Sequence, residues 1–203
     1  KEFWFHYNLG KNPGFLSPKK NFGEEDPLND FIRKLYNDGT DDSVKMAKNL
    51  NARQRFFSPV IVRGEEDQGV RLWGYGKTAY KELLNLVLNP EYGDITDVNE
   101  GTDLTIHYGK PAGAQFPQTA ITPRRRPSPL AADDDQITGL LDSIPAYDDV
   151  FESARKTPVE IQGMLDEFLL SEEDAEDVSS ETVKYESASP ASAVDKAFEE
   201  LLG

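Results

Sequence analysis

The stretch RQRFFSPVIVRGEEDQGVRLWGY, residues 53–75, carries two apolar runs rich in β-branched and aromatic residues, parted by an acidic segment between Gly64 and Gly69. Such residues suit a pleated, half-buried surface, and glycines at the boundaries let the chain reverse. The pattern predicts an antiparallel hairpin, with a strand over 53–63, a turn over 64–69 and a return strand over 70–75. Pro59 has no N–H to give a ladder, which marks an edge or a bulge.

Working outward, apolar residues after Gly76 fall at Tyr80, Leu83, Leu84, Val87 and Leu88. That is helical spacing, and Pro90 stops it. Upstream, the aromatic run at 3–9 predicts a strand, residues 10–30 a long loop, Asn29 to Tyr36 a short helix and residues 37–43 a polar turn. Downstream, Leu104, Ile106 and Tyr108 alternate with Thr105 and His107, so 103–108 is expected to be a strand. Residues 109–130 are rich in proline, contain Arg124-Arg125-Arg126, and read as an ordered loop crossing the surface. Ile137, Leu140, Leu141 and Ile144 mark a helix. Thr157-Pro158-Val159-Glu160 has the form of a capping box with proline at the first helical position. It opens a helix carrying Ile161, Met164, Leu165, Phe168 and Leu169. Residues 171–192 have little to bury and are expected to be disordered. The last ten residues regain an apolar face through Val194, Ala197, Phe198, Leu201 and Leu202. The fold class is α+β. Residues 1–130 are expected to form the core, 131–170 an acidic helical extension packed on it, and 171–203 a disordered acidic tail.

The net charge is -15, but it is unevenly placed: residues 1–130 carry +1 and residues 131–203 carry -16. A near-neutral body with clustered cations and an acidic end is a pattern of nucleic-acid binders with acidic tails. The chain has no cysteine, which excludes disulfides and thiolate metal sites. His6 and His107 are the two histidines. No apolar run is long enough to span a membrane and no secretory signal pattern is present, so the chain reads as soluble with no membrane partner.

Chemistry concentrates on the hairpin. Arg53, Arg55, Phe56, Phe57, Arg63, Arg71, Trp73, Tyr75 and Lys77 fall close together in sequence. Single-stranded nucleic acid offers a charged backbone and exposed base faces, so a groove for it needs cations and flat rings; each stacked base adds ~1–3 kcal/mol whatever its identity. The competing reading makes the same rings core. Alternation puts Arg71 on one face with Trp73 and Tyr75, and a core face rarely holds an unpaired arginine. Arg124, Arg125 and Arg126, held extended by flanking prolines, are suited to phosphates. Catalytic patterns are poor. Asp133-Asp134-Asp135 suggests a metal-dependent nuclease only weakly, because consecutive acids also suit a helix N-terminus.

The order of these parts resembles the T-even-type phage single-stranded DNA-binding (helix-destabilising) proteins over about residues 3–203. The resemblance is carried by FFSPVIV, by VRLWGYGK with the Tyr80 to Leu88 helix, by GTDLTIHYG, by the acidic helices and by DKAFEELLG. It implies an OB-fold-like β-barrel core that coats single-stranded DNA without regard to sequence, in phage replication, recombination and repair, within the host cytoplasm and without enzymatic activity. Phe56 and Phe57 stand at the family's paired-aromatic position, Trp73 matches a cleft tyrosine, Tyr75 a neighbouring aromatic, and Phe116 lies in a loop carrying later cleft aromatics. The expected DNA-binding set is Arg53, Arg55, Phe56, Phe57, Arg71, Trp73, Tyr75, Lys77, Phe116, Arg124, Arg125 and Arg126. The resemblance also implies that the acidic tail recruits replication and recombination proteins, with Phe198, Leu201 and Leu202 as anchors. Two departures stand out. Family members hold a zinc with cysteines and a histidine, whereas the corresponding stretch, roughly Pro18 to Ile32, has neither residue type. No zinc and no other cofactor is therefore expected, and packing of Phe15, Phe22, Leu28 and Phe31 is expected to hold that loop instead. The family's basic N-terminal arm is also missing, as in a truncated chain. The rival reading is an acidic protein–protein adaptor without DNA affinity.

Overall fold

The computed structural model describes the backbone of residues 1–185 and the side chains of residues 1–171. Within those bounds the fold is mixed α+β. Strands β1 (Glu2–His6), β2 (Phe15–Leu16), β3 (Arg53–Val60) and β4 (Arg71–Tyr75) form an antiparallel sheet in the order β2-β1-β3-β4. β5 (Leu104–Gly109) and β6 (Gln118–Pro123) pair separately as a two-stranded ribbon. The α-helices are α1 (Pro18–Phe22), α2 (Pro27–Asp38), α3 (Asp41–Leu50), α4 (Lys77–Leu88), α5 (Asp134–Asp142), α6 (Tyr147–Val150) and α7 (Pro158–Tyr185).

The hairpin forms as its sequence dictates. Phe56 stands opposite Tyr75, Ser58 opposite Trp73 and Val60 opposite Arg71. β1 pairs with β3 only over Arg53 to Phe56, so Pro59 lies where β3 has a partner on one side alone, as a residue without an N–H requires. Phe57 faces Gly74, and its ring occupies the space a side chain would need there: a Cβ on Gly74 would lie 2.8 Å from it.

The expected closed barrel is not formed among the described residues. The ribbon meets the rest of the fold by side chains instead of a ladder. The Ile121 N–H donates to Glu82 Oε2 on α4 at 3.1 Å, and Ile121 packs against the buried cluster of Phe56, Tyr75 and Ala79. α4 begins two residues after β4 ends and packs on the Phe56–Tyr75 face of the sheet through Ala79 and Leu83.

Apolar residues bury in three places. One sheet face carries Phe3, Phe5 and Leu16, with Phe57, against Tyr147 and Phe151. The other carries Phe56 and Tyr75 against α4. Leu9, Phe15, Leu28, Ile32, Ala47, Leu50, Ile161 and Leu165 join α2, α3 and α7. The capping box at α7 has both reciprocal bonds. The Glu160 N–H donates to Thr157 Oγ1 at 3.3 Å, and the Thr157 N–H donates to Glu160 Oε2 at 2.8 Å.

Three loop expectations need correction. Residues 10–30 contain β2, α1 and the start of α2, and residues 37–43 contain the start of α3, capped by Thr40. Residues 109–130 contain β6, whose alternating Thr119, Ile121 and Pro123 face Tyr108, Ile106 and Leu104. The segment expected to be a disordered tail lies mostly outside what is described: α7 reaches Tyr185, and residues 186–203 are beyond it.

The stretch from Pro18 to Ile32 is held by a buried polar hub that the sequence reading missed. Asp26, 2 % exposed, caps α2 by accepting from the Asn29 N–H at 3.0 Å. Its Oδ2 also accepts from Ser17 Oγ at 2.7 Å and faces His6 Nε2 at 3.3 Å. His6 Nδ1 faces the Leu50 carbonyl at 3.0 Å. Burial alone raises the Asp26 carboxyl, but hydrogen bonds from His6, Ser17 and the Asn29 N–H outweigh it, and the net position is below the ordinary carboxylate value. Both ring nitrogens of His6 thus lie within hydrogen-bond distance of an oxygen. The hub ties β1, α1, α2 and the end of α3 together. Phe15 and Leu28 are buried as expected and Phe31 packs beside them. Phe22 is on the surface at 38 % exposure, beneath Arg155 at 4.3 Å from its ring centre.

Candidate nucleic-acid interface

Strand alternation divides the hairpin candidates between two sheet faces. Arg53, Arg55 and Phe57 share one face, and Phe56, Arg71, Trp73 and Tyr75 share the other. Phe56 is 6 % exposed, stacked parallel on Tyr80 with ring centres 4.0 Å apart. Tyr75 is 7 % exposed, with its hydroxyl 2.8 Å from Ser58 Oγ. Phe57 packs edge-on against Phe151 at 4.7 Å. Phe56 and Tyr75 are interior, and Phe57 is half-buried; all three hold the sheet to its helices. Trp73 is also half-buried, with one side on Tyr75 at 4.4 Å.

The cations also separate. Arg71 is not unpaired, since it bonds Glu65 and Gln68 within the hairpin turn. That removes the argument built on an isolated arginine among aromatics. Arg55 donates to the Gly74 carbonyl at 3.3 Å. Arg53 is exposed, and so is Lys77 in the first turn of α4. Arg63 is a brace: it grips Asp103 through Nε and Nη2 at 3.1 and 3.0 Å, and donates to the carbonyls of Pro129 and Leu130 at 2.6 and 2.9 Å.

The ribbon adds what the hairpin lacks. Tyr108 is 75 % exposed on β5, and Phe116, in the connection to β6, is 68 % exposed. By register, Tyr108 shares a ribbon face with Ile106 and Ile121. Ile121 packs on the cluster to which Trp73 also belongs, so the ribbon extends the Trp73 side of the sheet. Tyr108 was missed as a site residue. Its signal was present in the alternation of Leu104, Ile106 and Tyr108, which was read only as strand. Beyond β6, Arg124, Arg125 and Arg126 lie exposed in sequence with the ribbon. Arg124 lies 3.8 Å from Asp103, and Arg125 and Arg126 make no ion pair among the described residues.

The site residues do not suit a metal. The two contacts at His6 use both ring nitrogens, His107 is exposed on the opposite ribbon face from Tyr108, and no group of three His, Asp or Glu side chains is gathered among the described residues. Asp133 caps α5 by accepting from the Gln136 N–H at 2.8 Å, the helix-terminus role. Ser17, His6 and Asp26 are the residue types of a hydrolase triad. Here the serine donates to the carboxylate and not to the imidazole, and all three are buried. Among the described residues, no helix is long and apolar enough to cross a membrane. Phe198, Leu201 and Leu202 lie outside the described residues. No protein-family model and no curated protein matches the chain.

Proposed function

We propose that this chain binds single-stranded DNA without sequence preference and is not an enzyme. In this reading it coats DNA during phage replication, recombination and repair, in the host cytoplasm, and engages replication proteins through its acidic C-terminal residues. The observation that carries the reading is the presence of open rings and free cations on the hairpin and the ribbon: Trp73 is half-buried, Tyr108 and Phe116 are exposed, and Arg125 and Arg126 make no ion pair among the described residues. Rings of this kind accept any base, and the arginines accept the backbone. The resemblance to phage helix-destabilising proteins supports the same reading.

The test is titration of an oligo(dT) against intrinsic tryptophan fluorescence, on the parent chain and on Trp73→Ala. The variant is expected to bind more weakly by ~1–3 kcal/mol, the contribution of one stacked base, with little change in melting temperature. A Trp73→Ala variant that binds normally and melts early would place Trp73 in the core and leave the platform without its central ring.

A further inference from the structure

α4 carries an apolar stripe that is left open among the described residues. Ala79 and Leu83 pack on the Phe56–Tyr75 cluster, and Glu82 beside them accepts from the Ile121 N–H. The other side of the helix shows Leu84, Val87 and Leu88, the last 69 % exposed, with Tyr80 at the edge. Steps of four, seven and eight residues from Tyr80 put them on one helix face. Tyr80 spends one side of its ring on Phe56. Apolar side chains gathered on one exposed face mark an interaction surface, whereas single ones do not.

The charges on this helix oppose its own field. Lys77 and Lys81 are four residues apart, and like charges at that spacing repel. Lys77 opens the helix, where the aligned peptide dipoles already give a positive potential. The first turn holds no acid and the last turn no cation. Just past the last turn, Glu91 stands exposed at the negative end of the dipole. Its N–H donates to Asn89 Oδ1 at 3.0 Å, and the Tyr92 N–H donates to the Asn89 carbonyl at 3.1 Å, so the turn that carries it is fixed. Lys77, Lys81 and Glu91 make no ion pair among the described residues.

The same helix laid antiparallel on this one answers each of these features. Centred on Leu84, the pairing sets Tyr80 across from Leu88 and brings Lys77 beside Glu91 at both ends. It also places each helix's positive end against the other's negative end. We propose that α4 is a self-association surface whose occupant is α4 of a second copy of this chain, with Tyr80, Leu84, Val87 and Leu88 packed between two Lys77–Glu91 pairs. The contact is isologous and therefore closes at two copies. It assigns Lys77 to the second copy instead of to a DNA phosphate. One helix of 12 residues covers less than a standard interface, so the dimer is weak, with a dissociation constant of about 10–100 µM.

The test follows the full chain, without nucleic acid, by sedimentation velocity from about 1 µM to about 1 mM, the span of weak association. The mass is expected to rise from one chain to two and to stop there. Leu84→Glu/Leu88→Glu is expected to raise the dissociation constant by at least about thirtyfold, as losing the centre of an interface does. Leu88→Glu alone, at the most exposed position of the stripe, is expected to act in the same direction and serves if the double variant melts early. Lys77→Glu and Glu91→Lys are each expected to weaken the dimer about fivefold. Together they are expected to restore it, because the end pairs form again with reversed sign. A chain that stays monomeric to about 1 mM, a dimer indifferent to the leucine changes, or a mass that grows past two chains overturns the proposal. A charge-reversed double variant no tighter than either single one overturns the antiparallel pairing. A monomeric parent that loses oligonucleotide affinity on Leu84→Glu/Leu88→Glu gives the stripe to nucleic acid and removes the second copy.

Discussion

Replacing Asp26 by alanine is expected to lower the unfolding free energy by about 3–5 kcal/mol, because it leaves several buried groups without a hydrogen-bond partner at about 1–3 kcal/mol each. The effect is large because several groups lose their acceptor together: His6, the Ser17 hydroxyl and the Asn29 N–H that begins α2. The same carboxylate sets an acid limit. Its folded value lies below the ordinary one, so its contribution is fully present above the unfolded value, about pH 4, and is lost as pH falls through the lower folded value. Urea denaturation of the parent, Asp26→Ala, His6→Ala and the double variant checks this. The double variant is expected to be less destabilised than the sum of the two single changes, because each single change leaves a buried partner stranded. Additive effects, or a loss under about 1 kcal/mol for Asp26→Ala, would contradict the hub.

Phe56→Ala is the second large effect, expected to cost about 3–5 kcal/mol of stability while leaving the oligonucleotide affinity of the folded fraction unchanged. The ring is stacked on Tyr80 and buried between β4 and α4, so its removal opens a cavity and uncovers no binding face. This is the reverse of the pattern expected for Trp73→Ala. Binding at low temperature, with the folded fraction measured by circular dichroism, separates the two. A Phe56→Ala protein that keeps its stability but binds weakly would show that the ring reaches the ligand.

The hairpin, the helix after it, the strand at 104–109 and the capping box were legible because their signals are local: alternation, 3–4 spacing, a glycine boundary and a reciprocal cap. What escaped depends on tertiary partners. α3 hides behind Asp38-Gly39-Thr40, which reads as a turn, although Thr40 is a helix cap and Ala47 and Leu50 are fully buried against α2 and α7. β6 was obscured by prolines at its ends, which an edge strand tolerates. At the site, proximity in sequence could not say which hairpin rings face a helix. Phe56 and Tyr75 met α4 and were buried, while Phe57, against Phe151, and Trp73 were left partly open. Asp26 went unnoticed because a carboxylate in a polar stretch gives no sign of burial until His6 and Ser17 converge on it.

The central claim is that open rings need unpaired bases. Its most direct test is competition between a single-stranded oligonucleotide and the duplex of the same sequence, measured by fluorescence anisotropy in about 50 mM salt, where phosphate contacts are strongest. Two stacked bases at ~1–3 kcal/mol each predict a preference for the single strand of about thirtyfold or more, independent of base order. Equal affinity for the two forms, or no binding of either, would contradict the account.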